Sequence, residues 1–227
     1  MISQSVIISD AENLIDAQGF SSDITFIITG PLNHIGSLSK IWPSIIVGAT
    51  IYIMDGIKDL NTFFNVVKKV SGKVATFQVP ASLRMLIQFG EKQLKDCAEK
   101  FDFIETGAAP ISQADMEILC KLLPNTRLYN TCASTETGII ATHNFNDGYC
   151  VAGCLGKPMK HSAITIDDNG FIVCEGKTLM VGYYGDTDET NRVLHDNKIF
   201  TKDKGNIDKE GRLQLVGREG DIINVGG

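Results

Sequence analysis

Residues Leu128 to Ile140 read LYNTCASTETGII, and the rest of the chain can be read outward from them. The stretch opens on an apolar, β-branched run of the kind that forms a strand. It then sets Ser134, Thr135 and Thr137 around one carboxylate, Glu136, and closes with Gly138. Hydroxyls donate to phosphate oxygens, a carboxylate holds a hard cation such as Mg²⁺, and glycine lets backbone come close to a ligand. The competing reading is a polar turn that caps a helix, because such turns are common. A capping box, however, needs Ser or Thr three residues before Glu136, and Ala133 stands there.

Upstream, short runs at Ile24 to Ile28, Thr50 to Met54, Val74 to Gln78 and Phe103 to Glu105 read as strands bounded by Gly, Asp or Pro. Helical patterns lie between them. The clearest is Ser112 to Leu123, with Ser112 as N-cap, Asp115 three residues on, and Met116, Leu119, Cys120 and Leu123 on one face before Pro124. Strand and helix in alternation predict an α/β layer on a mostly parallel sheet, with ligands at the carboxyl ends of its strands. The loop expected at residues 130 to 138 follows one such strand.

Downstream of about Asp147 the pattern changes. Strands are expected at Ile164 to Ile166, Phe171 to Cys174, Leu179 to Val181, Ile199 to Thr201 and Leu213 to Val216. Asp-Asp-Asn-Gly and Asp-Lys-Glu-Gly turns separate some of them, which is hairpin grammar. The expected organisation is an α/β unit over residues 1–147, a small antiparallel β subdomain over 148–216, and the start of a hinge over 217–227.

The balance of 43% hydrophobic and 21% charged residues over 227 positions is that of an ordinary globular chain with a core. A formal net charge of −6 argues against nucleic acid or an anionic membrane as the main partner. The cysteines at 97, 120, 132, 150, 154 and 174 show no repeated spacing, as for reduced thiols, and MISQSVIISDAENL has neither signal-peptide nor membrane-span character. The compartment expected is the cytoplasm. Cys150 and Cys154, with His143 and His161 nearby, suggest zinc only weakly, since no second matched pair accompanies Cys-x-x-x-Cys. Gly176-Lys177-Thr178 resembles a P-loop ending, but Phe171 occupies the position of its first glycine, and no G-x-G-x-x-G follows a strand.

Several segments in order resemble the adenylate-forming enzymes, the family of acyl-CoA and aryl-CoA synthetases, luciferases and peptide-synthetase adenylation domains. PLNHIGSLSKIWPSIIVGATIYIMD is similar to the family's stretch with a His before the acyl-pocket helix, and GAAPIS at 107–112 to the loop lining the adenine site. NTCASTETG resembles the Y-G-x-T-E signature. GCLGKP at 153–158, GYYGD at 182–186, FTKDKGNID at 200–208 and VGREGDIINVGG at 216–227 follow with the expected spacing.

The resemblance implies an ATP-dependent acid–thiol ligase that forms an acyl-adenylate and passes the acyl group to coenzyme A. It implies Thr135 on the adenylate phosphate, Glu136 on Mg²⁺, and Gly107, Ala108 and Ala109 against adenine or the acyl group. Asn130 and Thr131 join the nucleotide side, Asp203 accepts from the ribose hydroxyls of ATP or AMP, and Arg218 makes a second ribose contact. Asn33, His34, Cys132 and Ala133 would shape the pocket for a small-molecule carboxylic acid. A carrier-protein-loading adenylation domain and a non-catalytic AMP-binding module are the alternatives. Lys202 departs from the family's T-G-D glycine, and Gly220 from its hinge residue. The family's Ser/Thr/Gly-rich pyrophosphate loop would precede Met1, and its C-terminal domain would follow Gly227. The stretch is therefore expected to be a core piece, inactive alone, with an apolar sheet edge that favours homo-oligomers.

Overall fold

The computed structural model describes residues 1–220; the remainder of the VGREGDIINVGG segment, with most of the expected hinge, lies outside them. The chain enters through helix α1 (Gln4–Gln18), capped by the Ser3 hydroxyl at one end and by left-handed Gly19 at the other. Strand β1 (Ile24–Ile28) follows, then helices α2 (Ile35–Leu38) and α3 (Ile41–Val47), strand β2 (Thr50–Ile53), helix α4 (Leu60–Lys69) and strand β3 (Lys73–Phe77). Helix α5 (Pro80–Asp96), strand β4 (Phe101–Thr106), helix α6 (Gln113–Leu122) and strand β5 (Arg127–Ser134) complete the alternating part. The expected helix at 112–123 is α6, and Ser112 Oγ accepts from the Asp115 N–H at 3.1 Å as its cap.

Strands β1 to β5 pair in parallel in the order β2-β1-β3-β4-β5. Every position of β1 is buried, as a continuous apolar run requires when helices cover both faces of a sheet. Ile24, Phe26 and Ile28 face the cluster that also takes Leu14, Ile15, Ile41 and Val47 from α1 and α3. Ile27, between them in the pleat, joins Phe63, Phe64, Leu83, Leu86, Met116 and Leu119 from α4, α5 and α6. The result is two helical layers about one sheet.

At β5 the sheet changes direction. The expected loop at 130–138 is mostly strand: β5 runs to Ser134, a three-residue turn at 135–137 reverses the chain, and β6 (Gly138–Asn144) returns antiparallel. From there the ladder continues through β7 (Cys154–Pro158) into the antiparallel part: β8 (Ser162–Ile166), β9 (Phe171–Gly176), β10 (Leu194–His195), β11 (Lys198–Ile207) and β12 (Leu213–Arg218). Helix α7 (Thr187–Val193) lies just before β10. Asp167 and Asp208 close the two expected turns, their carboxylates accepting from Asn169 and Phe171, and from Glu210 and Arg212.

One expected strand does not form. Leu179 and Met180 are buried in the core beneath the antiparallel strands, which is why the sequence reads as apolar there. Their segment joins no ladder; instead the Met180 N–H donates to the Glu136 carbonyl at 2.8 Å and the Val181 N–H to the Met1 carbonyl at 2.9 Å.

Helix α1 is pinned to the β5–β6 hairpin. Asp10 accepts from the Ile139 N–H at 2.9 Å, Asn13 donates to the Ile139 carbonyl at 3.0 Å, and Gln18 donates to Thr131 Oγ1 at 3.2 Å. Burial drives the Asp10 carboxyl up to about 7, against the lowering pull of the Ile139 N–H and of Lys40. The folded chain thus keeps a proton there up to about pH 7 that the unfolded chain releases near 3.8, so this contribution to stability is full below pH 4 and is lost as pH rises to 7. Three units correspond to on the order of 4 kcal/mol. Urea titrations at pH 5 and pH 8 should show the native protein weaker at pH 8, while Asp10→Asn, which keeps an acceptor for Ile139, removes most of that difference. An unchanged pH dependence in the variant would contradict the assignment.

Candidate functional site

The turn at 135–137 is held by its own side chains. Ser134 N–H donates to Thr137 Oγ1 at 3.2 Å, Thr137 N–H donates to Ser134 Oγ at 3.0 Å, and buried Thr137 carries its hydroxyl proton to the Gly138 carbonyl at 3.0 Å. Ser134 and Thr137 are therefore engaged in shaping the turn, which leaves exposed Thr135 and half-buried Glu136 at its tip. Tyr183 O–H donates to Glu136 Oε1 at 2.8 Å. Burial first, and then this neighbouring carboxylate, push the Tyr183 phenol up to about 12, so it stays a donor. Gly138 has φ 67°, and a Cβ there would lie 2.5 Å from Asp10 Oδ1 and 2.8 Å from the Thr178 carbonyl. Glycine is required on both counts.

Two clefts meet at the end of β5. The larger, about 490 Å³, brings together Gly107, Ala108 and Ala109 after β4, Asn130 to Ala133 on β5, and Asp203 with Arg218 across the β11–β12 ladder. Asp203 and Arg218 are register partners, with Nε 3.7 Å from Oδ1. The β11 register against β9 shifts between Phe200 and Lys204, so Thr201 to Asp203 lie at an irregularity in the ladder, and Thr201 and Asp203 line the cleft. That bulge accommodates Lys202 without a glycine. Asn130 and Thr131 bond inward, Asn130 Nδ2 to the Cys154 carbonyl at 2.9 Å and Thr131 Oγ1 with Thr142 Oγ1 at 2.8 Å. Burial, with Asp203 nearby, pushes the Cys132 thiol up to about 12, which removes it as a nucleophile near neutral pH.

The smaller cleft, about 180 Å³, lies between the His34–Gly36 segment after β1 and the turn tip, with Thr135, Ala133 and Ala108 on its wall. His34 is exposed and caps α2, its Nδ1 accepting from the Gly36 N–H at 3.1 Å. Asn33 is exposed and, like Glu136, lines neither cleft. Ala108 separates the two spaces with φ 67°, a left-handed conformation that costs an L-residue about 1–2 kcal/mol.

Sequence reading missed the floor of the smaller cleft. Lys40 and Glu105 are each about 1% exposed or less and form an ion pair, with Nζ 2.8 and 2.7 Å from the two carboxylate oxygens. It also missed Tyr183, which lies inside the quoted GYYGD segment. The weak zinc signal has no cluster behind it: His143 Nε2 bonds the Tyr149 carbonyl at 2.7 Å and His161 pairs with Glu12. Among the described residues no group of three or more His, Cys, Asp or Glu could hold a metal ion, and no helix is long and apolar enough to cross a membrane.

A sequence profile described as AMP-binding enzyme matches residues 1–184. An indoleacetate–CoA ligase of Aromatoleum aromaticum is 29% identical over the whole of this chain and 46% of its own length. A 2-succinylbenzoate–CoA ligase of Geobacillus is 27% identical over 92% of this chain and 43% of its own. The chain thus spans less than half the length of these curated relatives. In solved structures the same fold appears in O-succinylbenzoate coenzyme A synthetase of Bacillus subtilis in complex with AMP, at TM-score 0.86 and 21% identity over 97% of this chain and 46% of that one. It also appears in ATP-bound MatB of Rhodopseudomonas palustris, at TM-score 0.84 and 20% identity over 96% and 44%.

The close approach of the two cleft walls is itself open to test. A Cβ on Gly107 would lie 2.8 Å from the Thr131 carbonyl, which is backbone and cannot rotate away. Gly107→Ala should lower stability by about 1–3 kcal/mol, the usual cost of overpacking. A denaturation midpoint equal to that of the native protein would show that the walls are not in contact.

Proposed function

The chain belongs to the AMP-binding enzymes, and from that premise we propose that it carries the nucleotide- and acid-binding core of a ligase that activates a carboxylic acid with ATP and transfers it to coenzyme A. The observation that carries the reading is the larger cleft, which gathers residues from the loop after β4 and from β5, β11 and β12 that are up to 111 positions apart, Gly107 and Arg218 among them. The relatives are named CoA ligases, which favours coenzyme A over a carrier protein as the acceptor.

In this reading a carboxylate oxygen of the acid attacks the α-phosphorus of ATP and pyrophosphate leaves. A thiol then attacks the acyl carbon and AMP leaves. Neither half-reaction asks the protein for a covalent intermediate; positioning and charge stabilisation suffice. Gly107, Ala108 and Ala109 form the wall for adenine, and the backbone of Asn130 and Thr131 extends it. The Asp203 carboxylate accepts from the ribose diol, and Arg218 across the ladder orients it. Thr135, exposed at the turn tip, donates to the α-phosphate. The smaller cleft takes the acid, with His34 at its rim and Ala133 where it meets the larger cleft, while Cys132 lies on the larger cleft's side.

Glu136 fits a magnesium ligand. It offers hard carboxylate oxygens on a turn held by the Ser134 and Thr137 side chains and by Met180, and it bonds a neutral phenol rather than a cation. Magnesium there would offset the negative charge of the phosphates. The same reading treats residues 1–147 and 148–216 as two subdomains that share the cleft.

If Asp203 accepts from both ribose hydroxyls, Asp203→Ala should weaken AMP binding by about 1.5–3 kcal/mol, the range for hydrogen bonds to a charged group. Calorimetric titration of the native and variant proteins with AMP checks this. Equal affinities would sink the ribose assignment.

A further inference from the structure

The Lys40–Glu105 pair stands apart from every other ion pair among the described residues by its burial. The next least exposed, Arg212 with Asp208, retains 19% and 20% side-chain exposure, against 1% for both partners here. Burying two charges incurs a desolvation penalty that their attraction does not reliably offset, and apolar replacement of such pairs is often neutral or stabilising. Stability alone therefore does not account for it. The pair lies where a ligand would meet it, as part of the lining of the smaller cleft beside Phe77 and Gly107.

Its hydrogen-bonding capacity is lopsided. The Lys40 ammonium is held by both oxygens of Glu105 and lies 5.6 Å from the centroid of the Phe77 ring, so its charge is met on two sides. The Glu105 carboxylate has room for about four hydrogen bonds; Oε1 accepts one from Lys40, and buried Oε2, though close to the ammonium, has no hydrogen-bond partner. The cleft floor thus offers acceptors, and a plain hydrocarbon tail packed there would cover them without a donor. The space is also small. At about 180 Å³ it is well under half the larger cleft's 490 Å³, suited to one ring with a short side chain.

We propose that the Lys40–Glu105 pair makes this cleft selective for a one-ring carboxylic acid that bears a hydrogen-bond donor away from its reacting carboxyl group, a phenol or ring N–H that donates to Glu105. This rests on the ligase reading for the identity of the occupant as an acid, and on the cleft alone for its size and donor. Lys40 serves as the positioning residue that fixes the carboxylate and balances its charge.

The experiment is ligand-observed NMR competition with the 2-, 3- and 4-hydroxybenzoates, their methyl ethers and hexanoate, with AMP binding measured on the same samples by calorimetry. The native protein should bind at least one hydroxy acid about tenfold or more tighter than its methyl ether, as expected for a hydrogen bond to a charged acceptor, and hexanoate more weakly than either. Lys40→Met with Glu105→Leu removes the charges together and should bring the ratio close to one while thermal melting shows a folded protein. Glu105→Gln, which keeps an acceptor oxygen, should retain part of the preference. No acid binding, no hydroxy preference in the native protein, or an unchanged ratio in the folded double variant would overturn the proposal. AMP binding without that preference would do so while leaving the ligase reading in place; donor-selective acid binding without AMP binding would do the reverse.

Discussion

The site depends on a buried clamp between α1 and the β5–β6 hairpin. The hairpin tip must stay rigid to present Thr135 and Glu136, yet a three-residue turn has little backbone of its own to hold it. Asp10 and Asn13 bond the N–H and carbonyl of Ile139 just past the turn, and Thr178 Oγ1 donates to the Thr137 carbonyl at 2.8 Å. Met180 bonds the Glu136 carbonyl from the far side. Helix α1 and the segment around Met180, more than a hundred residues apart, thus converge on Glu136, Thr137 and Ile139, and the cost of ordering them falls on the scaffold rather than on a ligand. The clamp is not free of strain. A carboxyl group buried so far that it holds its proton up to about pH 7 gives up stability near neutrality to anchor one N–H.

The same arrangement divides the space above the strands. Parallel strands β1, β3, β4 and β5 bring their carboxyl ends to one edge, where open α/β sheets form crevices. The switch to antiparallel pairing at β5 then carries the chain around to β11 and β12, whose Asp203 and Arg218 close the larger cleft. Ala108, in its left-handed conformation, is the partition between the two spaces. Their electrostatics differ. The larger has an acid–base rung partly open to solvent, which makes a weak pair; the smaller has a buried ion pair in its floor, which solvent and salt screen little.

Much of this is legible in the residues. The β-branched runs at 24–28, 50–54 and 74–78 announce strands because their side chains suit a pleated surface, although β2, at the sheet edge, is mostly exposed. The Ser112 cap and the apolar face of 113–122 announce a helix. Helix α1 could have been found as well, since Ser3 and Gly19 are ordinary start and stop signals. The hairpin could not, because Thr-Glu-Thr lacks the Asn-Gly or Asp-Gly that marks a tight turn, and its turn is stabilised by tertiary bonds. Leu179 to Val181 misled for the converse reason: burial made Leu179 and Met180 apolar while the Met180 backbone was recruited to the turn. Lys40, within SLSKIWP, carries no local sign of burial. Its partner is 65 positions away, and no local pattern reports a contact of that separation.

The central claim is that the cleft at the end of β5 receives an adenylate, and amide chemical-shift mapping of the protein on addition of AMP tests it most directly. The account predicts that shifts concentrate at residues 107–109, 131–137 and 201–203, with little change along α4 and α5. Saturable shifts confined to another part of the surface, or none at millimolar AMP, would contradict it.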